Sequence, residues 1–288
     1  MKYLGLITVM SLAINASAQM KEEIISKEYS FEKDSRANVF QLSNINGFIK
    51  VEAYPGNKII LEVRKQIWGK TDARVNLGMK EIGVALLDRY DTLIVYASGP
   101  CQSFGFRNSR HGNGYSFKYN NCNYTYEFKL DMTLKVPAGT NLVLRTVNNG
   151  DIEVSGVSGN LRVNNINGAI LLDGVVGKVV AHTINGDVDV NYTTNPKADS
   201  RYYTLNGDIN ANFKKGLAAK IAFKSFNGDI YTNLPQLKSL PESLKIESIK
   251  DGKGIKFKIE DRKIVQTRNG SVLLDFETFN GDAIIKEN

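Results

Sequence analysis

The chain of 288 residues has only two cysteines, two histidines and one tryptophan. The cysteines and the nearby His111 match no zinc-ligand spacing, so we do not expect a structural zinc site. Beyond residue 18 no apolar run is long enough for a transmembrane helix. Nucleophile motifs, phosphate-binding loops and metal triads are also missing. The sequence therefore predicts no cofactor and does not favour an enzyme.

The first eighteen residues have the pattern of a secretory signal peptide. Lys2 supplies a positive charge, Tyr3 to Ile14 is mostly apolar, and small residues end at Ala18. The apolar run is too short to span a bilayer, and no cysteine follows it for a lipid anchor. We expect a signal peptide over residues 1–18 and export to the periplasm, the cell surface or the extracellular space.

The formal net charge is +7, but the basic residues are scattered among acids and apolar residues. This pattern is typical of solvated strand faces. Because no helix carries a basic face and no recognition motif is present, we do not expect a nucleic-acid partner. A weak preference for anionic surfaces stays open.

One turn signal recurs along the chain. Asn-Gly pairs between alternating apolar residues are turn signals, and from Gly150 they recur at steps of 18, 18, 21, 21, 42 and 11 residues. The step of 42 predicts a degenerate copy near residues 246–252. The turn glycines are Gly47, Gly150, Gly168, Gly186, Gly207, Gly228, Gly270 and Gly281.

The segments between these turns alternate apolar and polar residues, which indicates strands with one buried face. Residues 151–168 align with 169–186 without a gap, as do 187–207 with 208–228. A unit this short cannot bury its own apolar face, so the copies must stack. The fold class predicted is all-β, a parallel β-solenoid of six or seven coils, roughly 30 Å long at ~4.8 Å per coil.

The domain organisation predicted has two parts after the signal peptide. Residues 19–140 form a more irregular amino-terminal β region, and residues 141–288 form the repeated coils.

Each residue of the turn has an expected role. The glycine supplies a positive φ, and the asparagine amide bonds to the next coil, which gives a ladder. Two residues before the asparagine, a polar column is expected at Asn44, Asn165, Thr183, Thr204, Ser225, Thr267 and Thr278.

Aspartate follows the glycine in five copies, namely Asp151, Asp187, Asp208, Asp229 and Asp282. Stacked carboxylates bind Ca²⁺ in some proteins. The nine-residue repeat of calcium-binding β-rolls is absent here, so we interpret these residues as turn aspartates that bond to local backbone. His182 is expected on the outward face.

The least regular segment is residues 101–128, which hold eight aromatic residues between and after Cys101 and Cys122. In an exported chain we expect the two cysteines to form a disulfide, worth ~3 kcal/mol. The candidate ligand-binding residues are Arg107, Arg110, Tyr115 and Tyr119, because Arg and Tyr dominate binding hot spots. The alternative is a hairpin that packs its rings on the solenoid, since Tyr and Phe are strong strand formers.

The "[TS]-x-N-G-D-[IV]" coils, the "GVSGNL" corner and the "KVPAGTNLVL" entry resemble the putative-adhesin domain family. The resemblance runs from about residue 40 to the end and is strongest over 130–234. It implies an exported bacterial β-solenoid, related to autotransporter-adhesin head domains, with no catalytic residues.

The function predicted is a non-catalytic cell-envelope protein that binds or scaffolds, with an envelope protein or a glycan as partner. One alternative is a polysaccharide-active β-helix enzyme, a lyase or glycosidase, which needs paired carboxylates outside the repeat. Another is an envelope-stress sensing component.

Overall fold

The structure is a computed structural model that describes residues 19–31, 35, 37–89, 91–107, 114–119, 123–240, 245–251, 254–260 and 262–288. The predicted signal peptide, Arg110, His111 and Cys122 lie outside these residues, so the predictions made for them stay predictions. Among the described residues no helix has the length and apolarity needed to cross a membrane.

The described residues form strands and one helix, with these bounds in chain order. They are β1 (Gln19–Tyr29), β2 (Val39–Ser43), β3 (Ile49–Tyr54), β4 (Ile59–Gly69), α1 (Asp72–Glu81), β5 (Gly83–Arg89), β6 (Thr92–Ser98), β7 (Gln102–Arg107), β8 (Gly114–Tyr119), β9 (Glu127–Pro137), β10 (Asn141–Arg145), β11 (Ile152–Ser155), β12 (Leu161–Asn164), β13 (Ile170–Val175), β14 (Val179–His182), β15 (Val188–Tyr192), β16 (Ser200–Asn206), β17 (Ile209–Phe213), β18 (Ala219–Lys224), β19 (Ile230–Thr232), β20 (Lys238–Ser239), β21 (Lys245–Asp251), β22 (Gly254–Glu260), β23 (Lys263–Thr267), β24 (Val272–Asn280) and β25 (Ala283–Glu287).

Two large sheets lie face to face around one core, so the predicted all-β solenoid is confirmed. Sheet A has the order β1-β4-β9-β3-β11-β13-β15-β17-β25-β19, and sheet B has the order β20-β23-β18-β24-β16-β14-β12-β10-β2-β6-β5. The middle strands pair in parallel. Antiparallel strands end sheet B on both sides and sheet A on the side of β1, whereas β19 at the other edge of sheet A pairs in parallel with β25. Inward side chains from both sheets form a single cluster that includes Phe40, Tyr202 and Ile285.

Each coil consists of one strand of sheet B, an Asn-Gly corner and one strand of sheet A. Parallel pairing orders the coils as β2/β3, β10/β11, β12/β13, β14/β15, β16/β17, β24/β25 and β18/β19. The last coil of the chain therefore lies between two coils that are consecutive in sequence. The alternating pattern predicts the strands well, but pattern alone does not say which coil neighbours which.

The corner side chains link neighbouring coils. Each ladder asparagine donates from its amide to the asparagine of the preceding coil, over 2.8 to 3.3 Å. The hydroxyl of Thr183 donates to the carbonyl of Gly168, at 2.8 Å, and Thr204 donates in the same way to Gly186, at 2.7 Å. The buried polar column therefore satisfies corner carbonyls that would otherwise be buried without a donor.

Three expectations about the turns need correction. Residues 246–252 are not a degenerate coil, because β21 and β22 form an antiparallel hairpin. Gly270 lies in the turn between β23 and β24, and Thr267 donates to the carbonyl of Pro235 instead of joining the column. At Gly150 the positive φ belongs to the residue before it, Asn149, at 60°.

The helix α1 was not expected from the strand-like pattern of this region. Thr71 caps its first turn by accepting from the backbone N–H of Arg74 at 3.4 Å. Buried Lys65 donates to the carbonyls of Met79 and Ile82 at the other end, and these bonds stabilise the last turn. The helix packs on β4 and stands beside the first coil of the stack.

Candidate functional site

The aromatic segment replaces a corner of the solenoid. Strand β6 lies parallel to β2, and β9 lies parallel to β3, so β6 and β9 form one more coil at the end of the stack. In the neighbouring coil Ser43 and Ile49 are joined by an Asn-Gly turn, whereas Tyr96 and Met132, the residues in register with them, are joined through residues 97–131. The insert, residues 97–131, therefore begins and ends beside the first coil of the asparagine ladder.

A groove opens beside the point where the insert rejoins the sheet. Trp68 lies near the end of β4, with Met20 of β1 and Glu127 of β9 as its cross-strand neighbours. The groove has a volume of about 620 Å³ and is lined by Trp68, Gly69, Lys70, Arg74, Tyr124, Thr125, Tyr126 and Glu127. This volume is in the range of about 300–1,000 Å³ that is usual for small-ligand sites.

Tyr126 forms the fixed part of the groove. Its hydroxyl donates to Glu81 Oε2 at 2.6 Å. Burial raises the pKa of Tyr126 well above its ordinary range, and the bond to Glu81 and its charge raise it further. A Cβ on Gly78 of α1 would lie 2.8 Å from this ring and 2.6 Å from Ile67. The glycine therefore lets the helix and the ring approach, and Tyr126 stays a neutral, immobile wall.

Tyr124 is half-buried and continues the aromatic wall. Its ring lies 5.3 Å from the rings of both Tyr126 and Phe128, tilted against the first and edge-on to the second. Such edge and offset contacts stabilise aromatic clusters beyond their buried area. The position of Tyr124 is thus fixed by two neighbours that are themselves buried.

A second basin of about 680 Å³ shares Trp68, Tyr124, Tyr126 and Glu127 with the first and extends it to the asparagine ladder. It adds the corner residues Asn46 and Asn149 and the cation Lys129. Lys129 pairs with Asp131 at 2.9 Å and lies 5.7 Å from the Phe48 ring centroid. The groove therefore combines flat aromatic surfaces, amides and charged groups, which is the chemistry that holds a polar ring such as a sugar.

The predicted ligand-binding residues lie mainly on the hairpin β7/β8. Its register places Phe106 opposite Tyr115 and Gln102 opposite Tyr119. Only the backbones of Arg107, Tyr115 and Tyr119 are described, and Arg110 lies outside the described residues, so their role in binding stays a prediction.

The alternative predicted for the insert, rings packed on the solenoid, is supported at one point. Phe104 of β7 stacks on Tyr96 of β6, with ring centroids 4.4 Å apart. Ile94, which faces outward on β6, is fully buried, so another layer covers this part of sheet B. Cys101 is buried and is not a free thiol. Its bridge to Cys122 stays a prediction, because Cys122 is outside the described residues.

The turn aspartates bond to backbone of the next coil. Asp187 Oδ1 accepts from the N–H of Asp208, and Asp208 Oδ1 accepts from the N–H of Asp282, both at 2.8 Å. Asp131 makes the same kind of bond to a neighbouring coil, because its Oδ1 accepts from the backbone N–H of Phe48 at 3.3 Å. The sequence did not identify this residue. Over the described ranges no group of three or more potential ligands is placed to hold a metal ion.

Sequence reasoning missed most of the groove. Trp68 is the single tryptophan of the chain and sits at the end of an otherwise regular strand, which was the available signal. The sequence shows Tyr124 and Tyr126 as members of an aromatic segment, but it does not show that they line one side of the groove. The meeting of β4, α1 and the end of the insert depends on packing that no local pattern encodes.

Comparison with known proteins matches one segment of the chain to a described family. Residues 128–256 match the family Toastrack DUF4097. No curated protein matches the chain.

Comparison with solved structures gives two matches. One is a putative cell adhesion protein from Clostridium sporogenes ATCC 15579, with 11% identity and a TM-score of 0.44, covering 94% of this chain and 100% of that chain. The other is a putative adhesin from Bacteroides fragilis NCTC 9343, with 14% identity and a TM-score of 0.38, covering 92% of this chain and 97% of that chain. The resemblance predicted from the repeats is confirmed by the match of residues 128–256 to Toastrack DUF4097.

Proposed function

We propose that this protein is a non-catalytic, exported cell-envelope protein that binds a glycan through the aromatic groove. The observation that carries the proposal is the convergence of Trp68 and Tyr124 with Arg74, Lys129 and the amide of Asn46 in one open groove. Aromatic faces and Arg or amide donors recur in anchored binding sites. The adhesin-like resemblance of the coils agrees with a binding or scaffold role.

The solenoid gives this groove a rigid support. Tyr126 is held by Glu81, Tyr124 is held by two aromatic rings, and α1 is held by buried Lys65. A site whose side chains are already fixed loses little conformational entropy when a ligand binds. Rigidity of this kind suits recognition of a ligand that is itself flexible.

The distribution of carboxylates favours binding over glycan cleavage. Hydrolysis of a glycosidic bond normally uses two carboxyl groups on either side of the bond. Among the described residues that line the first basin, Glu127 is the single carboxylate. The repeated aspartates Asp187 and Asp208 accept backbone hydrogen bonds and so have a structural role.

The proposal is tested on a glycan array with the exported protein and two variants. Trp68→Ala removes the indole ring that lines the groove. Tyr231→Ala is the matched control, because Tyr231 is an exposed aromatic residue on β19 at the far end of the stack. We expect Trp68→Ala to weaken binding at least tenfold, as loss of a hot spot of about 2 kcal/mol does. Tyr231→Ala should bind as the wild type does.

Equal binding by wild type and Trp68→Ala would refute the groove as the site. A third variant, in which residues 103–120 are replaced by a Gly-Ser linker, tests the predicted hairpin residues. If that variant alone loses binding, the ligand contacts the hairpin and not the groove. If no variant and no wild-type protein binds any glycan, the glycan class is wrong.

A further inference from the structure

The middle coils carry positive charge on the outer face of sheet B. Arg145 of β10, Arg162 of β12 and His182 of β14 point outward, and Lys178 lies at the corner before β14. The sequences of these strands contain no aspartate or glutamate. We call Arg145, Arg162 and Lys178 the basic face.

The opposite outer face of the same coils is acidic. Strands β11, β13 and β15 of sheet A direct Glu153, Asp173 and Asp189 outward and contain no lysine or arginine. Scattered basic residues would place cations on both faces. The charges are instead sorted between two sides of the same coils, so the basic face does not simply follow from the net charge.

The cations of the basic face lie on neighbouring coils of sheet B. Parallel register places Arg162 between Val143 and Val180, and these three residues line a shallow recess of about 390 Å³ with Val39 and Lys178. Arg145 is half-buried, and burial and the neighbouring charge of Arg162 lower its pKa. Arg162 is exposed on the adjacent strand, and an anion bound there would stabilise both of these like charges.

The basic face has limits on both sides. Toward one end, Arg201 of β16 is paired with Asp275 at 3.4 Å and with Glu277 at 2.7 Å, so the next coil is neutralised. Toward the other end, buried Ile94 shows that sheet B is covered. The positive surface of the middle coils is therefore limited to β10, β12 and β14.

We propose that the basic face binds a linear anionic polysaccharide that crosses the coils obliquely. Arg145 lies two residues after Val143, the register partner of Arg162 on β10, and Lys178 lies two residues before Val180, its register partner on β14. The three cations therefore form an oblique row, in which each step is one coil of ~4.8 Å and two residues of ~3.3 Å, and such a row suits a polymer with charge at regular intervals. The rings of His182 and Tyr203 stack on each other 4.5 Å apart and border the face on the side of β16. The apolar residues here, Val143 and Val180, are short and half-buried, which does not suit insertion into a bilayer.

The site is tested by binding of immobilised heparin, polygalacturonate and neutral dextran, at several salt concentrations. The double variant Arg162→Glu with Lys178→Glu is compared with Lys220→Glu with Lys224→Glu. The control substitutions change the net charge by the same amount. Lys220 and Lys224 face outward on β18 of the same sheet, beside the acidic strand β24. Thermal melts of both variants establish that they fold.

We expect wild type to bind both anionic polymers and not dextran. The Arg162/Lys178 variant should lose at least tenfold in affinity, with a shallower dependence of log K on log salt, because fewer counterions are released. The Lys220/Lys224 variant should lose less than threefold.

Equal losses in the two double variants would overturn the proposal, since only net charge would then matter. Tighter binding to phosphatidylglycerol vesicles or to duplex DNA than to heparin would overturn the choice of a polysaccharide. Trp68→Ala should leave heparin affinity unchanged, so failure of the groove and failure of the basic face are distinguishable.

Discussion

The corner glycines are expected to be the least replaceable residues of the solenoid. At Gly186 the backbone has a φ of 148°, and a Cβ added there would lie 2.4 Å from the carbonyl oxygen of Gly168. That separation is below the 3.0 Å that real Cβ atoms respect. Gly186→Ala must therefore push two coils apart or change the corner.

The free-energy cost of such a substitution has two parts, backbone strain and steric close approach. Other glycines of the chain allow each part to be measured separately. Backbone strain alone is present at Gly216, with a φ of 94° and open space around its Cβ position. Close approach alone is present at Gly177, whose Cβ would lie 2.3 Å from Gly159 O without a positive φ. Gly139 has neither, because nothing lies within 4 Å of its Cβ position.

We expect Gly139→Ala to be neutral or to stabilise by ~0.5 kcal/mol, since alanine restricts the unfolded chain. Gly216→Ala should cost ~1 kcal/mol from strain. Gly177→Ala and Gly186→Ala should each cost about 3 kcal/mol or more, from steric displacement and the loss of inter-coil hydrogen bonds. For a chain of this size the melting temperature should fall by roughly 10 °C.

Urea unfolding followed by circular dichroism gives these free energies. Asp187→Ala is a second comparison, because it removes one backbone hydrogen bond of 2.8 Å and should cost only ~1 kcal/mol. The reasoning is refuted if Gly186→Ala is no more destabilising than Gly216→Ala or Asp187→Ala.

Three further predictions concern groups outside the corners. Thiol labelling of denatured, non-reduced protein should find no free thiol, because Cys101 and Cys122 are predicted to form a disulfide. Two labelled thiols per chain would contradict the disulfide and reopen the question of a metal site. The hydroxyls of Tyr192 and Tyr202 share a buried hydrogen bond of 2.7 Å, so either single change to Phe should lower the free energy of unfolding by ~1–2 kcal/mol. The double change should cost less than the sum of the two single costs, because both single changes remove the same bond. Additive losses in a double-mutant cycle would contradict this coupling. Burial and the charge of Arg201 lower the pKa of His182 from 6.5, so its contribution to stability is complete above about pH 6.5 and is lost as the pH falls. Melting temperatures between pH 7.5 and 5 should therefore fall less in His182→Asn than in wild type, and parallel curves would contradict the assignment.

The solenoid could be predicted from the sequence because its determinants are local. Alternation of apolar residues fixes which face of a strand is buried, and the Thr-x-Asn-Gly corner repeats the same inter-coil bonds at each step. Where several segments fit the same slot, local pattern is not enough. In the stack, β24 and β25 lie between β16/β17 and β18/β19, and β21 pairs with β22 in an antiparallel hairpin despite its similarity to a corner.

The candidate site could be predicted only in outline. Aromatic enrichment identified the insert, but Trp68 comes from a strand that ends more than thirty residues before Cys101. Gly78 gave no sequence signal because its role is to admit the Tyr126 ring. The basic face is likewise invisible as a cluster in sequence, since Arg145, Arg162 and Lys178 become neighbours only when coils of 18 residues stack.

The central claim, that the aromatic groove is a binding site, is tested most directly by the fluorescence of Trp68. Because Trp68 is the single tryptophan and lines the groove, its emission reports on that site alone. The titrant is the glycan fragment bound most tightly on the array. We predict a saturable change in emission for wild type, with affinity reduced at least tenfold in Tyr124→Ala and unchanged in Tyr231→Ala. Binding that is detected calorimetrically while Trp68 emission stays constant would contradict the claim.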